Sequence, residues 1–194
     1  RDLIVTGVQT CALPIFGELN GADSGRIRQL NDLLTGAGFD VSVAEDIESV
    51  IWSKFVLNCA VNPVSAITGL RTGEIGASEP ARDFQQAILD EVLEVVQARG
   101  ISLGDTDPRA TVEGFTGRLF NRPSMLQHMD AGLATEIDSL NGAVVREGQR
   151  LGVDTPFNQG LTLLVKARNA QLIRALHEPP IDYQALEASS QTDT

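Results

Sequence analysis

Two cysteines, one tryptophan, one tyrosine and two histidines in 194 residues leave several classes of protein without support. Cys11 and Cys59 have neither CxxC spacing nor a neighbouring histidine pair, so neither a disulfide framework nor a metal site is expected. No window holds about 18 consecutive apolar residues, and no basic region leads into a long apolar core at the N-terminus. No membrane association is expected, and a reducing cytoplasm fits best. Positive charge is also scarce. Fifteen Lys and Arg stand against 26 Asp and Glu, for a net charge of -11, which repels a polyanion and argues against nucleic acid as a partner. Finally, no GxGxxG occurs anywhere, so the glycine-rich turn that seats a dinucleotide pyrophosphate on a helix N-terminus is missing.

What is present is a chain with 42% hydrophobic residues, enough for a real core. Residues 1–15 stand apart from the rest: Val5 to Ile15, VTGVQTCALPI, resembles the conceptual translation of a sequencing-library adapter and is set aside as non-native. From Phe16 the pattern reads as a short apolar start, a turn at Asn20-Gly21, an amphipathic helix over Ser24 to Thr35, and alternation over Phe39 to Val43. A strand, helix and strand of this kind over residues 16–45 is what the end of a truncated dinucleotide-binding domain would leave.

From residue 46 to 177 the signals are helical, and the fold class is mainly α. Asp46 caps a long helix running toward Ile67, and a second spans about Pro80 to Ala98. Weaker segments cover about Pro108 to Phe120 and Ser124 to Met129. Thr135 is read as the cap of a helix through Leu151, which would place Glu136 in its first turn, and Thr155-Pro156 opens the last long helix. Residues 178–194 read as a frayed polar tail.

The chemistry concentrates in Trp52 to Ile67, WSKFVLNCAVNPVSAI, where Lys54, Asn58 and Asn62 follow at i, i+4 and i+8. On a helix successive members lie about 40° apart, so one stripe carries all three. Lys54 is the one charge between Ile51 and Ile67, and an amine with two amides in apolar surroundings needs partners, which a ketone and a carboxylate would supply. The alternative is the wet side of a surface helix. A second cluster is Pro123-Ser-Met-Leu-Gln-His, followed by Thr135-Glu-Ile-Asp and Asn141-Gly142.

In residues and order, the two clusters resemble the C-terminal helical domain of the ketopantoate reductase (2-dehydropantoate 2-reductase) family, with its 6-phosphogluconate dehydrogenase C-terminal-like fold. The likeness runs from about Phe16 to Leu172. It implies an NADPH-dependent reduction of ketopantoate to pantoate, on the route to pantothenate and coenzyme A. It also implies Lys54 as the catalytic proton donor, Asn58, Asn62 and Ser124 as substrate-binding residues, and Glu136 as a cofactor-binding residue. The implied partners are a small 2-ketoacid and a second copy in a homodimer. Thr72 stands where some members carry a further substrate-binding asparagine, and His128 and Leu133 replace polar residues common beside the motifs. His128 is read as an exposed helix residue. A related 2-ketoacid or β-hydroxyacid oxidoreductase, and a helical dimerisation module without catalysis, are the competing readings. Because the glycine-rich turn is missing, the chain is expected to be an inactive fragment.

Overall fold

The computed structural model describes residues 14–105, 107–118 and 120–190. Most of the adapter-like stretch, with Cys11, lies outside them. The described chain begins with β1 (Ile15–Phe16), α1 (Gly25–Gly36) and β2 (Ser42–Val43), the two strands pairing in parallel as Ile15 with Ser42 and Phe16 with Val43. Ile15, the last adapter-like residue, is thus part of the pairing. The Ser24 hydroxyl caps α1 by accepting from the Ile27 N–H, one of the donors a helix start leaves free. The alternation over Phe39 to Val43 yields only a two-residue strand, because Leu34 and Thr35 carbonyls take the N–H groups of Phe39 and Gly38 in the closing turn of α1.

Helices form the remainder: α2 (Ile47–Thr68), α3 (Thr72–Ala77), α4 (Glu79–Ala98), α5 (Pro108–Arg118), α6 (Ser124–Asp130), α7 (Asn141–Leu151), α8 (Pro156–His177) and α9 (Tyr183–Ser190). The protein is mainly α. Asp46 caps α2 as expected, accepting from the Ser49 N–H. α2 is the central element and packs against α3, α4, α5, α6 and α8. Its Val56, Cys59, Ala60, Val61 and Val64 share one core with Ile88, Leu89 and Val92 of α4, Met125 and Met129 of α6, and Leu161 and Val165 of α8. By length and composition α2 could cross a membrane, at a mean hydropathy of 1.3, a property that core helices share.

Three local readings differ from the structure. α3 was not anticipated, since six residues with two glycines show no apolar period. The helix expected from Thr135 begins only at Asn141. The Thr135 N–H instead donates to Asn169 Oδ1 of α8 at 3.2 Å, and residues 136–140 wind as a turn closed on the Glu136 and Ile137 carbonyls. Glu136 therefore gains nothing from a helix dipole. Within the expected tail, Tyr183–Ser190 form α9.

Pro63 sits inside α2 and cannot donate to the carbonyl of Cys59, four residues back. That carbonyl accepts from Asn141 Nδ2 at 3.0 Å instead. The same amide nitrogen donates to Asn158 Oδ1 at 2.9 Å, and Asn158 Nδ2 reaches Glu91 Oε2 at 2.7 Å and the Ile88 carbonyl at 3.2 Å. Glu91, itself buried, then accepts from the Phe157 and Asn158 N–H groups at the start of α8. A carboxylate there meets both the unpaired donors and the positive end of the helix. Replacing Asn141 by Ala should cost about 2–4 kcal/mol in urea denaturation, because it strips partners from two buried acceptors. In Pro63→Ala a backbone N–H returns to the Cys59 carbonyl, so the cost of Asn141→Ala should shrink by about 1 kcal/mol in a double-mutant cycle.

Candidate functional site

The α2 stripe is graded in depth: Lys54 is exposed, Asn58 half-buried and Asn62 buried at 8% exposure. Apolar surroundings were expected for all three, but Lys54 lies on a face of α2 that also leaves Ile51 53% exposed, although Ile47 and Ser49 in the first turn are buried. Among the described residues, none donates to or accepts from the Lys54 amine or the Asn58 and Asn62 amides. Two amides on the most apolar helix of the molecule are thus left to solvent or ligand.

The second cluster forms where α6, which packs along α2, meets the segment that follows it. Ser124 and His128 are one turn apart on α6 and share a face. Gly132, with φ of +63°, reverses the chain directly after α6, a backbone conformation that favours glycine. Asn169 of α8 then holds the returning strand at both ends, donating to the Leu133 carbonyl at 2.8 Å and accepting from the Thr135 N–H. This delivers Glu136 against α6. Its Oε1 lies 3.4 Å from Ser124 Oγ and its Oε2 lies 3.1 Å from His128 Nδ1.

The structure therefore brings Ser124 and Glu136 together and adds His128, expected only as an exposed helix residue. The i, i+4 spacing of Ser124 and His128 was the available signal. No hydrogen bond or ion pair joins this cluster to the α2 stripe among the described residues. Thr72 is fully buried and donates to Asn121 Oδ1 at 3.1 Å, so its hydroxyl serves the packing of α3 on the chain before α6. Leu133 is 55% exposed.

A dinucleotide does not fit the β1–α1 junction. The Glu18 carboxylate is pushed down to about 2 by hydrogen bonds from Arg26 and Ser24, so it is an anion at neutral pH, and Asp23 sits beside the α1 start. Arg26 is committed to Glu18 and Arg28 to Asp23, so anions and spent cations occupy the place where a pyrophosphate would need free donors.

This helical arrangement is shared with solved reductase and dehydrogenase structures. The crystal structure of a PanE/ApbA family ketopantoate reductase from Ralstonia eutropha JMP134 matches with a TM-score of 0.74 and 28% identity, over 81% of this chain and 51% of that one. D-mandelate dehydrogenase in a ternary structure with NADH and anilino(oxo)acetate matches with a TM-score of 0.72 and 27% identity, over 81% of this chain and 66% of that one. The chain belongs to the family described as ketopantoate reductase PanE/ApbA C terminal, which matches residues 46–169. A 2-dehydropantoate 2-reductase of Archaeoglobus fulgidus is 33% identical over 150 residues, 77% of this chain and 50% of that protein. The corresponding enzyme of Pyrobaculum aerophilum is 34% identical over 144 residues, 74% of this chain and 52% of that protein. The chain thus spans about half the length of the curated relatives it matches.

Asn169→Ala removes both ties on the returning strand. It should lower stability by about 1–3 kcal/mol in denaturant and speed amide exchange at Thr135, while exchange in the middle of α2 stays slow.

Proposed function

We propose that this chain is the substrate-side half of a reductase that converts 2-dehydropantoate to pantoate, with a reduced nicotinamide, NADPH, as the hydride source of the whole reaction. The observation that carries the reading is the α2 stripe: one amine and two amides in register that no described residue hydrogen-bonds, on the most apolar helix among the described residues. A 2-ketoacid offers a ketone oxygen and a carboxylate, which together can satisfy such a set. Lys54 is assigned as the general acid, Asn58, Asn62 and Ser124 as substrate ligands, and Glu136 as a residue at the boundary with the cofactor. As negative charge grows on the carbonyl oxygen, the Lys54 ammonium stabilises it and then transfers a proton. The open position of Lys54 suits a group covered only when a partner surface and substrate close over it. A cytoplasmic location and a homodimer complete the proposal.

A second reading is favoured by the D-mandelate dehydrogenase likeness: an oxidoreductase of the same geometry acting on another 2-ketoacid or hydroxyacid. A substrate panel separates the two, since a strong preference for a ketoacid other than 2-dehydropantoate selects the second.

In the complete reductase containing this sequence, Lys54→Ala should lower kcat by about two to four orders of magnitude, the usual share of general acid catalysis. Unchanged turnover removes the assignment. The chain by itself should neither reduce ketoacids nor retain NADPH, because its sequence holds no GxGxxG turn and the arginines at its β1–α1 junction are paired with Glu18 and Asp23. Titration followed by nicotinamide fluorescence checks this, and saturable binding at micromolar concentration would contradict it.

A further inference from the structure

The side of α2 turned away from Lys54 borders a cavity that the proposed reaction does not use. Trp52 stands two positions before Lys54, about 200° round the helix, and with Phe55 it faces α4 and α7 across a space of about 230 Å³. The two rings meet edge to face with centroids 5.3 Å apart, and the buried Val92, Val96 and Val144 form the deep end. Packed interiors leave few voids larger than a water, and a dry cavity of about 150 Å³ already takes benzene. This one has room for a ring and a short stem.

The mouth of the cavity is charged. Arg99, at the end of α4, lies over the Trp52 ring at 5.5 Å from its centroid, and its Nη1 donates to Glu147 Oε2 at 2.6 Å. The same oxygen accepts from Arg150 through Nε at 3.1 Å and Nη2 at 2.9 Å. Two guanidiniums thus share one carboxylate. The Glu147 carboxyl is held below its ordinary range first by the hydrogen bond from Arg150, with Arg99 contributing less. Arg150 can therefore keep Glu147 neutralised by itself, and Arg99 is the cation with capacity to spare: among the described residues its Nε and Nη2 donate to no protein group. An incoming carboxylate can draw Arg99 off Glu147 with no charge left unpaired, while the guanidinium stays on the indole face. Arg99 also borders a polar hollow with Asp46 and Glu48, so a second negative charge on the ligand would be repelled.

We propose that this cavity is a binding site for a small monocarboxylic acid with an aromatic or branched apolar body, which lies between the Trp52 and Phe55 rings and the α4 valines and sets its carboxylate on Arg99. The site does not depend on the reductase reading, since none of its residues belongs to the α2 stripe or the α6 cluster. The proposed substrate fits it poorly, because a hydroxylated ketoacid would press its ketone and hydroxyl against valines that offer no hydrogen bond.

The chain's one tryptophan is a wall of the cavity, so its fluorescence reads occupancy directly. Titrating the chain with 3-phenylpropanoate should change Trp52 emission saturably, with a Kd of about 1 mM or tighter, and the neutral 3-phenylpropanamide should bind about fivefold more weakly or worse. Ala143→Leu, which fills the cavity from α7, should abolish the response, and Arg99→Gln should bring acid and amide to equal affinity. If Ala143→Leu loses its cooperative melt, Arg99→Gln carries the test alone. No saturable response in the wild-type chain overturns the proposal, as does equal affinity for acid and amide there. A response unchanged by Ala143→Leu, or an acid preference unchanged by Arg99→Gln, overturns it too. So does displacement of 3-phenylpropanoate by an equal concentration of 2-dehydropantoate, because the probe then sits where the ketoacid does. None of these outcomes bears on the reductase reading, which the Lys54→Ala turnover tests separately.

Discussion

A single missing hydrogen organises the interior. Pro63 denies the Cys59 carbonyl its helical donor in the most buried part of α2, and an unpaired buried acceptor costs too much to leave alone. Asn141 fills the gap from the start of α7, Asn158 Oδ1 at the start of α8 accepts from the same Asn141 amide nitrogen, and Glu91 of α4 holds Asn158 together with the first N–H groups of α8. Four helices are thereby locked in register by one connected polar chain inside an apolar core. Such a network rigidifies when complete and weakens as a unit when broken.

That lock connects to the candidate site through α2 and α8. Asn62 directly precedes Pro63, so the depth and direction of the amide stripe are set at the point where the network grips the helix. α8, positioned by Glu91 at its first turn, presents Asn169 several turns later, and Asn169 holds the returning strand that carries Glu136. Asn-Pro and Asn-Gly, which look like separate features along the chain, meet at one carbonyl: Asn141 donates to the Cys59 oxygen that Pro63 cannot serve.

The chain's acidic surface and the anionic β1–α1 junction suit neither a polyphosphate nor a nucleic acid. The stripe on α2 and the cluster at α6 each present polar groups whose protein partners are incomplete. On the function proposed above, polarity left incomplete on packed helices is where a ligand would finish the hydrogen bonding.

Much was legible from local pattern. The apolar period and Asp46 announced α2, Pro156 announced α8, and the 16–45 stretch showed its strand and helix periods, because caps and periodicity act over a few residues. The motif order likewise pointed to the family. What sequence could not supply were choices made by distant partners. Thr135 was denied its role as a cap by Asn169, 34 residues away, and Lys54 came out exposed on a face of α2 turned away from the core. His128 acquired a partner only when Gly132 turned the chain back. Residues within a turn of each other determine helices and stripes, whereas the burial of an amine or the pairing of a carboxylate is settled by packing between elements far apart in the chain.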